Sequence, residues 1–126
     1  MAKAKKSLRP QRIYWMSFKV IATDPFARKL KRLAKKFKSL KEDLRPLLEL
    51  LAEDPTTQGT SLGNDCYKIR LAIASKGRGK SGGARIITYV RVTKETVYLI
   101  DIYDKSEQST ISDKELAQLI DLLTME

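Results

Sequence analysis

The spacing of apolar residues in the first half of the chain predicts one strand followed by two helices. Residues Ser17 to Ala22 have the aromatic and β-branched content of a strand, and Thr23-Asp24-Pro25 supplies a helix cap and a first-turn proline. Apolar residues then recur at helical spacing. They are Phe26, Leu30, Leu33, Ala34 and Phe37 in the first helix, and Leu40, Leu44, Leu47, Leu48 and Leu51 in the second. The two helices are expected to pair as a hairpin.

Local signals predict where the second helix begins and ends. Ser39 and Glu42 have the spacing of a capping box, which favours a helix start at this point. Pro46 lies inside the apolar pattern, where proline removes a backbone hydrogen bond and costs about 3 kcal/mol or more. We therefore expect a kink or a late helix start. Asp54-Pro55 ends the helix, and the polar run from Thr56 to Asn64 is predicted to be a loop.

Alternating apolar and polar residues in the second half predict three strands and a last helix. The predicted strands are Cys66 to Ala74, Ala84 to Val92 and Thr96 to Tyr103. Because the connections at Ser75 to Gly83 and at Lys94-Glu95 are short, consecutive antiparallel strands are expected. Ser112 and Glu115 form a second capping box before the last helix. Its apolar face consists of Leu116, Leu119, Ile120 and Leu123.

The start of the chain has a different composition. Residues Met1 to Trp15 carry five cationic side chains, no acidic residue and no sustained periodicity before Ile13. We interpret residues 1–15 as a flexible basic arm and residues 16–126 as one domain. The arm is either a solubilising tail, an RNA-binding segment or the result of an upstream start, with Met16 as the alternative first residue.

Charge and residue content narrow the chemistry. The 126 residues include 25 Lys plus Arg and 15 Asp plus Glu, and the resulting net charge of +10 attracts RNA, DNA or an acidic protein. The chain has no histidine, and Cys66 is its single cysteine, which argues against the usual zinc sites, histidine triads and intrachain disulfides. We expect no metal and no cofactor, and a buried structural role for Cys66. With neither a bilayer-spanning apolar run nor a secretory signal, a cytoplasmic location without a membrane partner is expected.

The segment between Lys68 and Arg85 contains the candidate site. Strand alternation places Lys68 and Arg70 on the face opposite Ile69 and Leu71, although the solvated side of a sheet often has such a pair. Pairing with the next strand brings Arg85 beside Lys68 or Arg70. A cluster of like charges is destabilising unless an anion occupies it, which indicates a ligand.

The loop between these two strands adds positive charge on a glycine-containing backbone that can approach phosphate, and a mobile polar turn has the same composition. Its cations are Lys76, Arg78 and Lys80. A P-loop interpretation of Gly79-Lys80-Ser81 is rejected, because the earlier glycine falls at Ala74 and a strand follows in place of a helix. Tyr89 and Tyr98 are predicted to be packing residues. Tyr103, near a strand end, is a candidate site residue.

Three segments together resemble the RelE/ParE toxin superfamily, and the HigB-like members most, from about Met16 to the C-terminus. They are Asp65 to Leu71 (DCYKIRL), Gly82 to Tyr89 (GGARIITY) and Val97 to Glu107 (VYLIDIYDKSE). The resemblance implies an α+β RelE-like fold, with an antiparallel twisted sheet of about four strands, an N-terminal helical hairpin and a C-terminal helix. It also implies a toxin of a type II toxin–antitoxin system that cleaves mRNA in the ribosomal A site, an endoribonuclease that needs no metal.

The resemblance also implies partners and leaves two other functions open. The implied partners are mRNA on the ribosome, rRNA, and a cognate antitoxin whose acidic segment covers the basic face in a toxin–antitoxin hetero-oligomer. ParE-like relatives instead poison DNA gyrase. A noncatalytic RNA- or ribosome-binding module has the same charge.

By position in the family motifs, the resemblance assigns roles to individual residues. Lys68 is the general base, Arg70 and Arg85 contact phosphate, and Lys105 lies near the leaving group. Neighbouring positive charges favour the neutral form of a lysine, the form that accepts a proton. The family tyrosine before the last helix is replaced by Ile111, so Tyr103, or else Tyr89, is expected to substitute. Further contacts to RNA or the ribosome are expected from Lys76, Arg78, Lys80, Lys29, Arg32 and Lys36.

Overall fold

The computed structural model describes residues 17–76, 82–108 and 110–124. The predicted arm, and Arg78 and Lys80 of the loop, lie outside the described residues. Within them the chain forms strands β1 (Lys19–Ala22), β2 (Thr60–Gly63), β3 (Cys66–Leu71), β4 (Ala84–Arg91) and β5 (Thr96–Asp104), and helices α1 (Asp24–Lys36), α2 (Leu40–Glu53) and α3 (Asp113–Thr124). None of these helices is long and apolar enough to cross a membrane.

The strands form one mixed sheet in the order β1-β5-β4-β3-β2. β1 pairs with β5 in parallel, and the other pairs are antiparallel. The α+β class is confirmed; the sheet differs slightly from the predicted antiparallel sheet of about four strands, because it has a fifth strand and one parallel pair. A strand that lies far in sequence from its neighbour is not joined to it by a hairpin, so no turn forces β1 to be antiparallel.

The fifth strand, β2, lies in the segment predicted to be a loop. Gly63, Asn64 and Asp65 have positive φ angles of 86°, 54° and 64°, and they reverse the chain so that β2 pairs with β3. Glycine, asparagine and aspartate are the residues that most readily adopt this backbone conformation. The Gly-Asn-Asp run is therefore a sequence signal for this hairpin, and the predicted loop was wrong at β2.

Helices α1 and α2 cover one face of the sheet. Thr23 caps α1 by accepting a hydrogen bond from the Phe26 N–H at 3.4 Å, and Pro25 lies in the first turn, as predicted. The two helices share one core with the apolar side chains of the strands. Its members include Phe26, Leu33, Leu40, Leu44, Leu51, Ile69, Leu71, Ile86 and Ile102. Helix α3 lies on the other face.

Helix α2 differs from its prediction at both local signals. The Ser39 hydroxyl donates to the Asp43 carboxylate at 2.7 Å and accepts from the Ser75 N–H at 2.8 Å, so it does not cap the helix. The helix begins at Leu40 and continues through Pro46, so a late start is wrong. Burying four leucines, at about 1.5–3 kcal/mol each, outweighs a loss of about 3 kcal/mol at one proline.

The connection from β3 to β4 brings the two strands close together at its base. β3 ends at Leu71, three residues earlier than predicted, and a 3-10 turn follows at Ala74–Lys76. A Cβ atom added to Gly83 would collide with the backbone carbonyl of Leu71. Glycine at this position therefore permits the strand spacing that the pairing of β3 with β4 requires.

Candidate functional site

Three neighbouring strands place Arg70, Arg85 and Tyr103 opposite one another. Arg70 of β3 pairs in register with Arg85 of β4, and Arg85 pairs with Tyr103 of β5. Lys68 precedes Arg70 by two residues and lies on the same face, opposite Ile87. Opposite positions have Cβ atoms about 4.5–5.5 Å apart, so these side chains are neighbours. We call the three cations Lys68, Arg70 and Arg85, together with Tyr103 beside them, the cationic row.

Alternation along the strands decides which face carries the cationic row. Ile69, Leu71, Ile86 and Ile102 point into the core beneath α1 and α2. Because side chains alternate along a strand, Arg70, Arg85 and Tyr103, each adjacent in sequence to one of these residues, point to the opposite face. Part of that face is covered by α3 and the segment before it, since Ile87 and Tyr103 share a buried cluster with Ile111 and Leu116.

Arg85 is the most deeply buried cation of the row. Its side chain is buried, with 3% exposure, whereas Arg70 is exposed and Lys68 is half-buried. Burial lowers the pKa of Arg85 and the charge of Arg70 lowers it further, while Tyr103 acts in the opposite direction. An arginine nevertheless stays charged at neutral pH. Two cations thus lie side by side, one of them inside the protein, and an anion bound between them would relieve their repulsion.

Tyr103 provides a hydrogen-bond donor beside Arg85. Burial raises the pKa of its phenol, although Thr110 and Arg85 act in the opposite direction. At neutral pH the hydroxyl is therefore protonated, able to donate a hydrogen bond and unsuited to act as a base. Tyr89, the other proposed substitute for the family tyrosine, stacks on Tyr98 at a centroid distance of 6.2 Å, as expected for a packing residue.

Lys105 lies one residue beyond the end of β5, near the start of β4. Its backbone N–H donates to the Gly83 carbonyl at 3.0 Å, and Gly83 is two residues from Arg85. The Lys105 side chain is half-buried. The fold therefore brings Lys105 to the end of the β4–β5 pair that carries Arg85 and Tyr103.

Two lysines predicted to contact RNA form ion pairs with buried carboxylates. On α1, Lys29 pairs with Asp101 at 2.7 Å, and Lys36 lies 3.8 Å from Asp104. Seven residues of helix span about 10.5 Å and three residues of strand span about 10 Å, so the spacing of the lysines matches that of the aspartates. The pairs fasten α1 to β5 on the helix side of the sheet, away from the cationic row.

A third predicted RNA contact, Lys76, is also engaged inside the protein. Its ammonium lies 2.6 Å from Asp104, its side chain is only 11% exposed, and it stacks over the Phe37 ring at 5.2 Å. Arg32 is exposed on α1. The prediction missed Asp101 and Asp104 as partners, although two acids in an otherwise apolar strand are a signal for buried ion pairs.

Two other features lie outside the cationic row. Cys66 is fully buried, as predicted, and burial together with the nearby Asp65 charge raises the pKa of its thiol to about 11.

No group of three or more His, Cys, Asp or Glu side chains within the described ranges is placed to hold a metal ion. An open cleft of about 410 Å³ between β1 and α3, lined by Arg28, Leu119 and Leu122 among others, shares no residue with the row.

Comparison with known proteins gives one family and several structural neighbours. The family model for the RelE toxin of the RelE/RelB toxin–antitoxin system matches residues 19–124. The isolated E. coli RelE toxin is 18% identical, with a TM-score of 0.54 over 84% of this chain and 99% of that one. The intact E. coli RelBE toxin–antitoxin complex is 21% identical, with a TM-score of 0.55 over 70% of this chain and 96% of that one.

A more distant neighbour has the same fold. The RelBE2 toxin–antitoxin complex of Mycobacterium tuberculosis is 14% identical, with a TM-score of 0.50 over 70% of this chain and 91% of that one. At such identities the structural likenesses establish the fold. The family match confirms the resemblance drawn from the strand motifs.

The repulsion within the cationic row predicts a stabilising substitution. Arg70→Gln should raise the free energy of unfolding by up to about 1 kcal/mol at low ionic strength, because a like charge opposite Arg85 is removed. The gain should become smaller near 1 M salt, where the Debye length is only about 3 Å, and part of it should remain because Arg85 is buried. Urea denaturation at both salt concentrations measures this effect.

Arg45→Gln is the matched control. Arg45 lies on the exposed face of α2 and pairs with Glu42 at 3.0 Å, so removing its charge should not raise the free energy of unfolding. If Arg70→Gln lowered stability equally at both salt concentrations, the two arginines would not repel each other in the folded protein.

Proposed function

The chain belongs to the RelE toxin family, and from that membership we propose that it is a ribosome-dependent endoribonuclease that cleaves mRNA in the ribosomal A site. The family supplies the toxin of a toxin–antitoxin system. The reaction and the residues that perform it are proposed from the chemistry available in the cationic row.

The observation that carries the proposal is the pairing of Arg70 with Arg85 beside Tyr103. Cleavage of RNA by attack of a 2′-hydroxyl on the adjacent phosphate increases the negative charge on that phosphate in the transition state. Cations and hydrogen-bond donors that are already in position stabilise such charge, and stabilise it more where water is excluded. Arg85 is such a cation, because it is buried and held by the sheet.

Each residue has a role that keeps the proton balance of the reaction. Lys68 accepts the proton of the attacking 2′-hydroxyl, and Arg70 and Arg85 bind the phosphate oxygens. Lys105 protonates the departing 5′-oxygen. Tyr103 donates a hydrogen bond to the phosphate, in place of the family tyrosine at Ile111. The products are a 2′,3′-cyclic phosphate and a 5′-hydroxyl, and no metal takes part in the scheme.

The ribosome has the role of orienting the substrate. In-line attack requires the 2′-oxygen, the phosphorus and the leaving oxygen to be aligned, and orientation of reacting groups is worth several kcal/mol of the barrier. The described site consists of side chains on a sheet. With a net charge of +10, the protein has strong electrostatic attraction to rRNA, to which Arg32, Arg78 and Lys80 contribute.

Substitutions in the row test the proposal. In a translation extract the purified protein should shorten mRNA only when ribosomes engage it. Lys68→Ala and Arg85→Ala should each lower the single-turnover cleavage rate by about 100-fold or more while binding to ribosomes is retained. Lys41→Ala, which removes an exposed cation from α2, is the matched control and should cleave at the unaltered rate.

Two results would assign another function. Intact mRNA together with inhibited DNA gyrase would indicate a ParE-like poison. Ribosome binding that falls in step with growth inhibition in both variants would indicate a noncatalytic binding module.

We also propose that a cognate antitoxin covers the cationic row with an acidic segment. Two of the structural neighbours are toxin–antitoxin complexes, and an exposed cation such as Arg70 beside buried Arg85 is complementary to a carboxylate. The resulting hetero-oligomer would contain no free cationic row and would be inactive.

An acidic protein encoded beside this chain should block cleavage at a one-to-one ratio. Arg70→Glu should weaken the complex by 10-fold or more at about 0.15 M salt, because it places like charges together. Titration calorimetry measures this loss, with Arg45→Glu as the control of equal charge change. Equal affinity of the two variants would rule out the row as the covered surface.

A further inference from the structure

Asp104, the last residue of β5, is a buried acid close to the cationic row. Its carboxylate has no exposed surface, and its backbone pairs with Ala84, the neighbour of Arg85. The proposed cleavage scheme gives this residue no role. Its contacts extend in two directions, toward the turn that carries Lys105 and toward two lysines on the helix side of the sheet.

The first set of contacts closes the turn that carries Lys105. One carboxylate oxygen of Asp104 accepts hydrogen bonds from the Ser106 N–H at 3.0 Å and from the Ser106 hydroxyl at 2.9 Å. The Asp104 carbonyl also accepts from the N–H groups of Glu107 and Gln108, at 3.0 and 3.1 Å. An aspartate that accepts from the N–H two residues later fixes the residue between them.

That residue is Lys105, and its backbone is held on both sides. The Lys105 N–H donates to Gly83 at the start of β4, and the next N–H donates to the Asp104 carboxylate. The origin of the Lys105 side chain therefore has a fixed position relative to Arg85. A side chain that must protonate a leaving group gains rate from such fixation, because less orientation remains to be achieved in the transition state.

The second set of contacts keeps the carboxylate charged. Lys76 binds the same oxygen at 2.6 Å, and Lys36 lies 3.8 Å from the other. Burial acts to raise the pKa of Asp104, but the hydrogen bonds from Lys76 and Ser106 outweigh burial and leave the pKa below its ordinary value. Asp104 is thus an anion at neutral pH, and a carboxylate accepts N–H hydrogen bonds more strongly than a neutral group does.

We propose that Asp104 is a positioning residue of the active site, which holds Lys105 in place through the Ser106 hydrogen bonds. The inference rests on the role proposed for Lys105 in cleavage. The proposal assigns two effects to the Asp104 carboxylate. Its charge stabilises the fold through Lys76, and its ability to accept hydrogen bonds from Ser106 affects the cleavage rate through Lys105.

Two substitutions at this position separate these properties. Asp104→Asn removes the charge and keeps an oxygen that can accept from Ser106, whereas Asp104→Ala removes both. Both variants should lose thermal stability to a similar extent. Below their melting temperatures, Asp104→Ala should cleave ribosome-bound mRNA about 10- to 100-fold more slowly, and Asp104→Asn should stay within a few-fold of the unaltered rate.

A double-mutant cycle and one control complete the cleavage experiment. Asp104→Ala combined with Lys105→Ala should be no slower than Lys105→Ala alone, because Asp104 acts through Lys105. Glu107→Gln, which removes another carboxylate near Lys36, should leave the rate unchanged. The proposal is wrong if Asp104→Asn and Asp104→Ala are equally slow. It is also wrong if the fold-loss in cleavage rate of the double mutant equals the product of the two single losses.

Amide hydrogen exchange tests the same turn without relying on cleavage. Ser106→Ala leaves the ion pairs of Asp104 intact, so it remains measurable even if the Asp104 variants fail to fold. It should speed exchange of the Lys105 and Ser106 amides several-fold and leave the β3 amides unchanged. Unaltered exchange at Lys105 would overturn the positioning role, whereas an unaltered protein that leaves ribosome-bound mRNA intact would overturn the proposed function alone.

Discussion

The register of β3, β4 and β5 is the constraint on which the rest of the structure depends. Side chains alternate along a strand, so a slip of one residue between β3 and β4 would turn Arg70 into the core beneath the helices and bring Ile69 out. Burial of Ile69, Ile86 and Ile102 beneath α1 and α2 opposes such a slip. The same register that builds the core therefore places Arg70, Arg85 and Tyr103 side by side on the opposite face.

Positive charge occurs in two separate arrangements in this protein. On the helix side of the sheet, Lys29, Lys36 and Lys76 face the buried carboxylates of Asp101 and Asp104, and these pairs hold α1 and the turn at Ala74–Lys76 against β5. The Lys76–Asp104 pair is largely buried, and such a pair adds little net stability but costs several kcal/mol when one partner is lost, so it fixes one arrangement of the elements. The opposite face presents arginines that repel each other, which is unfavourable for the fold and favourable for binding phosphate.

The sequence predicted those parts of the fold whose signals are local. Helical spacing gave α1, α2 and α3, and alternation gave three of the strands and the face shared by Lys68 and Arg70. The parts that were missed depend on distant contacts. Ser39 lost its capping role to Asp43 and Ser75, β1 pairs with a strand far along the chain, and β2 is a short polar edge strand with little apolar pattern.

The site was predictable to a similar degree. Alternation and the family motifs named the residues of the row, but no local pattern indicates the near-complete burial of Arg85, which is a property of the folded sheet. Lysines in an amphipathic helix appear solvated in sequence, and the partners of Lys29 and Lys36 lie on β5, much further along the chain, where no local pattern indicates them.

The central claim is that the cationic row promotes attack by the 2′-hydroxyl of mRNA in the ribosomal A site. The most direct measurement uses a message with a single 2′-deoxynucleotide at the position of cleavage. The account predicts that this message stays intact on ribosomes treated with the protein, and that the all-ribose message yields a 2′,3′-cyclic phosphate end. Cleavage of the deoxy-substituted message at the same position, or a 3′-hydroxyl end on the product, would contradict it.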